Sequence, residues 1–201
     1  MKITGHSGCK IEKIDNTIRK YTSKYYPTER LHQQYDKQKY FRTGIPGIIT
    51  PNVLYKTPEY IEMSYYDSYN FVEFCERTTD KEFDYITQKI ISFIDEEIDI
   101  SNSQEIDIKI FEDKFVDVIS KIRNFPKKII EIWAEIKKSK RWTFPTGKTH
   151  GDLSLSNVLI AKDLRTIVLI DFLTPFVDSV WQDISKLKQS TKYKWDLLLY
   201  E

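Results

Sequence analysis

Hydrophobic and polar positions follow two different periods along this chain, and the change falls near residue 70. Ahead of it the spacing suits strands. CKIEKI (9–14) alternates apolar and polar side chains, a tight Ile14-Asp15-Asn16 turn follows, and NTIRKYT (16–22) continues the alternation. Pro27, whose fixed φ fits a first helical turn, opens a helix that runs to about Phe41. TGIPGIITPN (43–52) reads as a Gly/Pro loop, and VLYK and EYIEMSYY as the two strands of a hairpin around Thr57-Pro58.

Beyond Asn70 the period is helical. Ile86, Ile90, Ile91, Ile94 and Ile98 form one stripe, and Phe111, Phe115, Val118, Ile119 and Ile122 another. After Asn124-Phe125-Pro126 a third helix carries Ile129, Ile132, Trp133 and Ile136. A strand at 158–161, a KDLR turn, a second strand within TIVLIDF and a last helix from about Val177 complete the pattern. There is no internal repeat. The expected fold class is therefore α+β with two lobes: a β-rich lobe over residues 1–65 and a mainly helical lobe over 66–201, hinged between Met63 and Tyr66.

Composition narrows this picture without redirecting it. The 201 residues are 40% hydrophobic and 30% charged, a globular balance, and the net charge of +1 gives no general pull towards nucleic acid or an anionic membrane. The two cysteines, Cys9 and Cys75, have no metal-ligand spacing and read as reduced thiols. MKITGHSG lacks the apolar core of a signal peptide, and no apolar run approaches the ~20 residues that span a bilayer. A soluble, cytoplasmic protein is expected. Residues 95–117 are rich in Asp and Glu and 121–148 in Lys and Arg, which suits solvated helix faces that pair with each other, or a docking surface.

Chemistry concentrates in THGDLSLSN (149–157), just before the apolar run VLIA. Antiparallel strands at 158–161 and 167–170, joined by Lys162 to Thr166, bring Asn157 opposite Asp171 at the open end of a hairpin. An amide oxygen and a carboxylate side by side form a hard-oxygen site suited to Mg²⁺, which keeps several waters and takes other ligands from phosphates. Asp152, five residues before Asn157, faces the same cleft as a second carboxylate able to orient or deprotonate a hydroxyl. Taken singly, each residue suits a turn or a cap. Taken jointly, His-Gly-Asp with Asn five residues later arises by chance on the order of once in a thousand chains of this size.

HGDLSLSNVLI followed by VLIDF resembles the catalytic loop and metal-binding segment of aminoglycoside phosphotransferase and choline kinase-like enzymes, small-molecule kinases of the protein-kinase-like fold. The resemblance implies that Asp152 serves the acceptor hydroxyl and that Asn157 and Asp171 hold metal. Gly151 stands where protein kinases commonly carry Arg, and Phe172-Leu173 replaces Phe-Gly; both favour the small-molecule branch. TGHSGCKI would cover the phosphates, with Gly5 and Gly8 allowing close backbone approach. Lys20 takes the place of the phosphate-binding lysine, with Arg19 on the opposite strand face. Its acidic helix partner falls on Asp36, or on Glu29 if the alignment shifts. The resemblance likewise implies that Glu62, Met63 and Tyr65 lie in the segment that reads the adenine edge and that Asp183 braces the catalytic loop; His150 is expected to shape that loop.

The expected activity is ATP- and Mg²⁺-dependent phosphoryl transfer to a hydroxyl of a small molecule, a sugar or amino alcohol, as in cell-surface carbohydrate pathways. Neither nucleic acid nor membrane insertion is expected. Tyr85, Trp133, Trp142 and the acidic residues 95–97 suit sugar stacking or a cationic amine. With 30 residues after Asp171, the acceptor pocket is expected between Asn70 and Lys148. A catalytically silent nucleotide-binding module that regulates a partner is the alternative, and a protein kinase is disfavoured by the lack of an activation segment after Asp171.

Overall fold

The structure is a computed structural model that describes residues 2–4, 8–24, 26–122, 124 and 126–199. Strands β1 (Lys2–Thr4), β2 (Lys10–Ile14) and β3 (Thr17–Tyr21) are followed by helix α1 (Thr28–Tyr40) and by β4 (Ile48–Ile49), β5 (Val53–Lys56) and β6 (Tyr60–Ser64). Five of these strands form one antiparallel sheet in the order β1-β2-β3-β6-β5. The β2–β3 turn closes because Asp15 takes a left-handed φ of 50°, a conformation that short polar side chains tolerate. Alternation then splits the sheet by face. Ile18 and Lys20 share one face with Ile61 and Met63, while Arg19 pairs across β6 with Glu62 on the other.

Helix α1 lies along this sheet through Leu31, Gln34, Tyr35 and Gln38, spaced as one helical stripe. With Cys9, Tyr26, Ile61 and Met63, Leu31 and Tyr35 form a small core. Two of the four stripe residues are amides. They are buried polar groups, and the site uses one of them.

The remaining elements are β7 (Ser68–Tyr69), α2 (Phe71–Cys75), α3 (Asp80–Asp99), β8 (Asn102–Asp107), α4 (Ile108–Ser120), α5 (Lys127–Ile136), β9 (Arg141–Thr146), β10 (Val158–Ala161), β11 (Ile167–Leu169) and α6 (Val180–Tyr193). Reciprocal capping boxes start α2 at Asn70/Glu73 and α3 at Thr79/Glu82, each satisfying two otherwise unpaired amides. A second sheet runs β4-β11-β10-β7. The Gly/Pro loop expected over 43–52 therefore contains a strand, β4, that pairs in parallel with β11. Val158, Ile160, Ile167 and Leu169 of this sheet pack with Phe74, Ile86, Ile90, Phe93 and Phe172 into the main core. Each such side chain contributes roughly 1.5–3 kcal/mol when fully buried.

Two expectations need correction here. The helical half also holds a two-stranded ribbon, β8 with β9, flanking α4 and α5. Its strands escape a periodicity reading because only Ile106 of NSQEID is buried and RWTFPT contains Pro145, which a strand edge tolerates. The hairpin register also differs by one: Val158 pairs with Leu169, so Asn157 stands opposite Ile170 and accepts its amide at 3.1 Å. Asp171 follows one residue further, with a φ of 60°. Among the described residues no helix is long and apolar enough to cross a membrane.

Candidate active site

Backbone amides from His150 to Asn157 form a continuous series, and each has an acceptor. His150 N donates to Glu97 of α3, and Gly151 N and Leu153 N to the two oxygens of Asp183 of α6, both at 3.0 Å. Asp152 N reaches His150 Nδ1, Leu155 N reaches Ser190 Oγ, and Ser156 N reaches Asp196 Oδ1. Ser154 N and Asn157 N close turns within the loop. A loop whose only regular structure is a 3-10 turn over Leu155–Asn157 is thus held largely by buried side chains, which satisfy groups that would otherwise be costly.

His150 joins this loop to β11. Because Nδ1 accepts from Asp152 N, the proton sits on Nε2 and is donated to Ile170 O at 2.8 Å. Burial pushes the imidazole pKa down, in keeping with a neutral ring. Gly151 has a φ of 86°, and a Cβ there would lie 2.0 Å from Leu173 O, so no side chain fits. Glu97 Oε2 has no partner as a carboxylate, yet Glu97 lies against Asp183. Burial, then the Asp183 charge, pushes Glu97 to about 9, so Glu97 holds a proton that Asp183 accepts.

Asp152 itself is bonded through its backbone oxygen to Asn157 Nδ2 at 2.8 Å, which turns Asn157 Oδ1 the other way. Its carboxylate lies 2.9 Å from Lys186 Nζ of α6. Across the cleft, Asp171 Oδ1 is 2.9 Å from Lys20 Nζ, a side chain 2% exposed. Gln34 Oε1 accepts from Lys20 at 3.0 Å, and Gln34 Nε2 donates to Asp171 at 3.2 Å. Burial, the largest single influence, pulls the Lys20 pKa down and the Asp171 pKa up; the partner's charge, the hydrogen bonds and the other neighbours together outweigh it, so Lys20 is raised and Asp171 lowered. Lys37 bonds Leu173 O and Asp178, tying α1 to the segment after Asp171.

The sequence-derived candidates separate into those brought together and those not. Lys20, Met63, Tyr65 and Asp171 line one cleft of about 370 Å³, walled by Ile11 and Ile18 above and Leu159, Val168 and Ile170 below. Asp152 and Asn157 connect to it through Ile170. Asp36 does not. It lies on the far side of α1 and pairs with Lys56 at 2.7 Å, while Gln34, on the buried stripe, occupies the position beside Lys20. Glu29 is exposed. The Glu62 side chain faces away from the cleft, 2.6 Å from Arg19, and the amides of Ser64 and Tyr65 donate to Asn52 O and Asn16 O. Gly8 keeps a φ of 71° before β2 and does not line the cleft, and Gly5 lies outside the described residues.

The acceptor-side candidates disperse. Trp133 and Trp142 line an apolar cavity of about 240 Å³ with Ile108, Phe111, Ile136 and Phe144. Tyr85 lies elsewhere, beside Lys81 and Arg165, Glu96 bonds Thr43 and Gly44, and Glu97 lies beneath the loop. The acidic and basic stretches do pair, Lys137 with Glu112 and Arg141 with Glu105.

Gln34, Lys186, Ser190 and Asp196 went unnoticed in the sequence, and Glu97 was placed on the acceptor side rather than beneath the loop. For two of them a signal existed: Gln34 and Glu97 are polar residues on the buried stripes of α1 and α3. Asn157 Oδ1 and the second oxygen of Asp171 are the hard donors available for a cation. No group of three or more His, Cys, Asp or Glu suited to a metal occurs among the described residues. The pair therefore fits an ion that completes its shell with water and phosphate, as Mg²⁺ does.

No protein-family model matches the chain, and no curated protein matches it in sequence. Solved structures do match. One is the crystal structure of aminoglycoside phosphotransferase APH(2'')-Ib, ADP-bound, with a TM-score of 0.58 and 16% identity, covering 90% of this chain and 68% of that one. The chain has the α+β, protein-kinase-like fold of that enzyme.

Proposed function

We propose that this chain is a small-molecule kinase that transfers the γ-phosphate of ATP to a hydroxyl group. The observation that carries this reading is one connected path, Asp152 to Asn157 to Ile170 to Asp171 to Lys20, ending in a cleft large enough for a nucleotide. The base of the nucleotide lies against Met63 and Tyr65, at a hinge dividing lobes 1–65 and 66–201. Lys20 meets the phosphates. Asn157 and Asp171 would hold Mg²⁺, which would neutralise phosphate charge. Asp152, kept in place by Lys186, orients the acceptor hydroxyl for in-line attack; positioning and electrostatics supply most of the catalysis in such reactions.

A sugar or amino alcohol is the acceptor, as in the choline kinase-like branch, with cell-surface carbohydrate synthesis as the setting. The aromatic walls of the α4–α5 region suit a sugar face. The free thiols of Cys9 and Cys75 suit a reducing, cytoplasmic compartment. The experiment is ATP consumption with a panel of sugars and amino alcohols. Asp152→Ala and Asp171→Ala should each lower turnover by about 10²–10³-fold, and unchanged turnover in both would remove the assignment.

A silent nucleotide-binding module remains a second reading because both carboxylates already pair with lysines, Asp152 with Lys186 and Asp171 with Lys20. Nucleotide binding without turnover on any acceptor would favour it.

A further inference from the structure

The Gln34 amide lies between the two opposite charges of the cleft and uses both of its ends. Lys20 can only donate and the Asp171 carboxylate can only accept, so the neighbours fix which end is which. Oε1 faces Lys20 Nζ at 3.0 Å and Nε2 faces Asp171 Oδ1 at 3.2 Å. The Tyr26 hydroxyl also donates to Oε1 at 3.0 Å, and the Tyr26 ring lies 4.5 Å from the ammonium. Lys20 and Gln34 are both buried. A carboxylate at position 34 could accept from Lys20 but would face Asp171 with like charge. Because residue 34 is neutral, Asp171 is the one carboxylate within ion-pair distance of Lys20 among the described residues.

We propose that Gln34 is a positioning residue whose neutral amide leaves Asp171 as the single counter-ion of Lys20, making cation binding in this cleft conditional on nucleotide. In the free protein Asp171 is engaged twice, by Lys20 and by Gln34, both through Oδ1. A cation on the second oxygen alone would stand beside the buried ammonium with one carboxylate to balance both, an expensive state. When phosphates arrive, Lys20 gains a new anionic partner and the Asp171 charge is left to the cation. The two binding events then favour each other, and the coupling is reciprocal. This inference rests on the phosphotransferase reading and adds an order of events to it: cation and nucleotide enter together.

Mn²⁺ is a suitable probe because it shares the oxygen preference and octahedral geometry of Mg²⁺. Its binding to the nucleotide-free protein is followed by the electron paramagnetic resonance of the free ion, in wild type and in Gln34→Glu. The variant gives Lys20 a second counter-ion. It should bind Mn²⁺ alone at least about 10-fold more tightly than wild type, within the usual range of site coupling, and this gain should vanish once ADP is bound; an added charge acting by itself would raise affinity in both states. Should Gln34→Glu not fold, Lys20→Met carries the same expectation. Equal Mn²⁺ affinity in wild type and variant overturns the inference. Calorimetry of ADP with MnCl₂ separates the two levels: absence of ADP binding to wild type overturns the kinase reading and this inference with it, whereas ADP binding with equal Mn²⁺ affinities overturns the inference alone.

Discussion

The loop at 150–157 and the helix pair α4–α5 are held by opposite means. Every amide of the loop has an acceptor, and apart from His150 Nδ1 within the loop the side-chain acceptors come from buried residues of α3, α6 and the segment after it. The helix pair has no buried side chain at all. Its contacts are aromatic stacks such as Phe115 on Trp133 at 4.4 Å, and residues like Val116 and Ile130 stand 63% and 48% exposed. A loop fixed in this way can present Asp152 and Asn157 without rearrangement, which is the requirement for electrostatic catalysis. The helix pair, with its exposed apolar residues, is less constrained.

The sharpest way to break the loop is at Gly151. Gly151→Ala should abolish turnover, by more than about 10²-fold, because the added carbon meets the Leu173 carbonyl and the left-handed φ adds roughly 1–2 kcal/mol of strain. Asp183→Ala comes next. It leaves Gly151 N and Leu153 N unpaired, and each should cost about 1–3 kcal/mol in denaturant unfolding.

Glu97 gives the loop a pH signature. Its folded-state pKa of about 9 lies above the ordinary 4.5. The stability it contributes is therefore fully present below pH 4.5 and is lost as pH rises through 9, at no more than ~1.4 kcal/mol per pH unit. Glu97→Gln, which imitates the protonated form, should flatten that decline in melting temperatures measured from pH 6 to 9. Parallel curves for the two proteins would mean that Glu97 is ionised at neutral pH. At the other extreme, Val116→Ser and Ile130→Ser should change unfolding free energy by less than about 0.5 kcal/mol, since neither side chain is buried.

The same contrast decides what could be read from sequence. Asp152, Asn157 and Asp171 were legible because their spacing and the hairpin strands are local features, and Asp183 followed from the resemblance. The register was one residue out because a strand end cannot be placed to that accuracy when Asp171 itself turns left-handed. The partner of Lys20 was missed for a different reason. A search for a carboxylate selected Asp36, whereas the stripe Leu31, Gln34, Tyr35, Gln38 shows which face of α1 is buried. Ser190 and Asp196 had no local signal, since their role exists only once α6 and the segment after it cover the loop. In β8 and β9 the alternation carries a single buried residue, Ile106, too little to mark a ribbon.

The most direct test of the account follows the transferred phosphate itself. With Mg²⁺, ATP and a mixed panel of sugars and amino alcohols, phosphorus NMR of the wild-type reaction should show a new phosphomonoester that is absent with Asp152→Ala. Only inorganic phosphate, released at the same rate by both proteins, would contradict it.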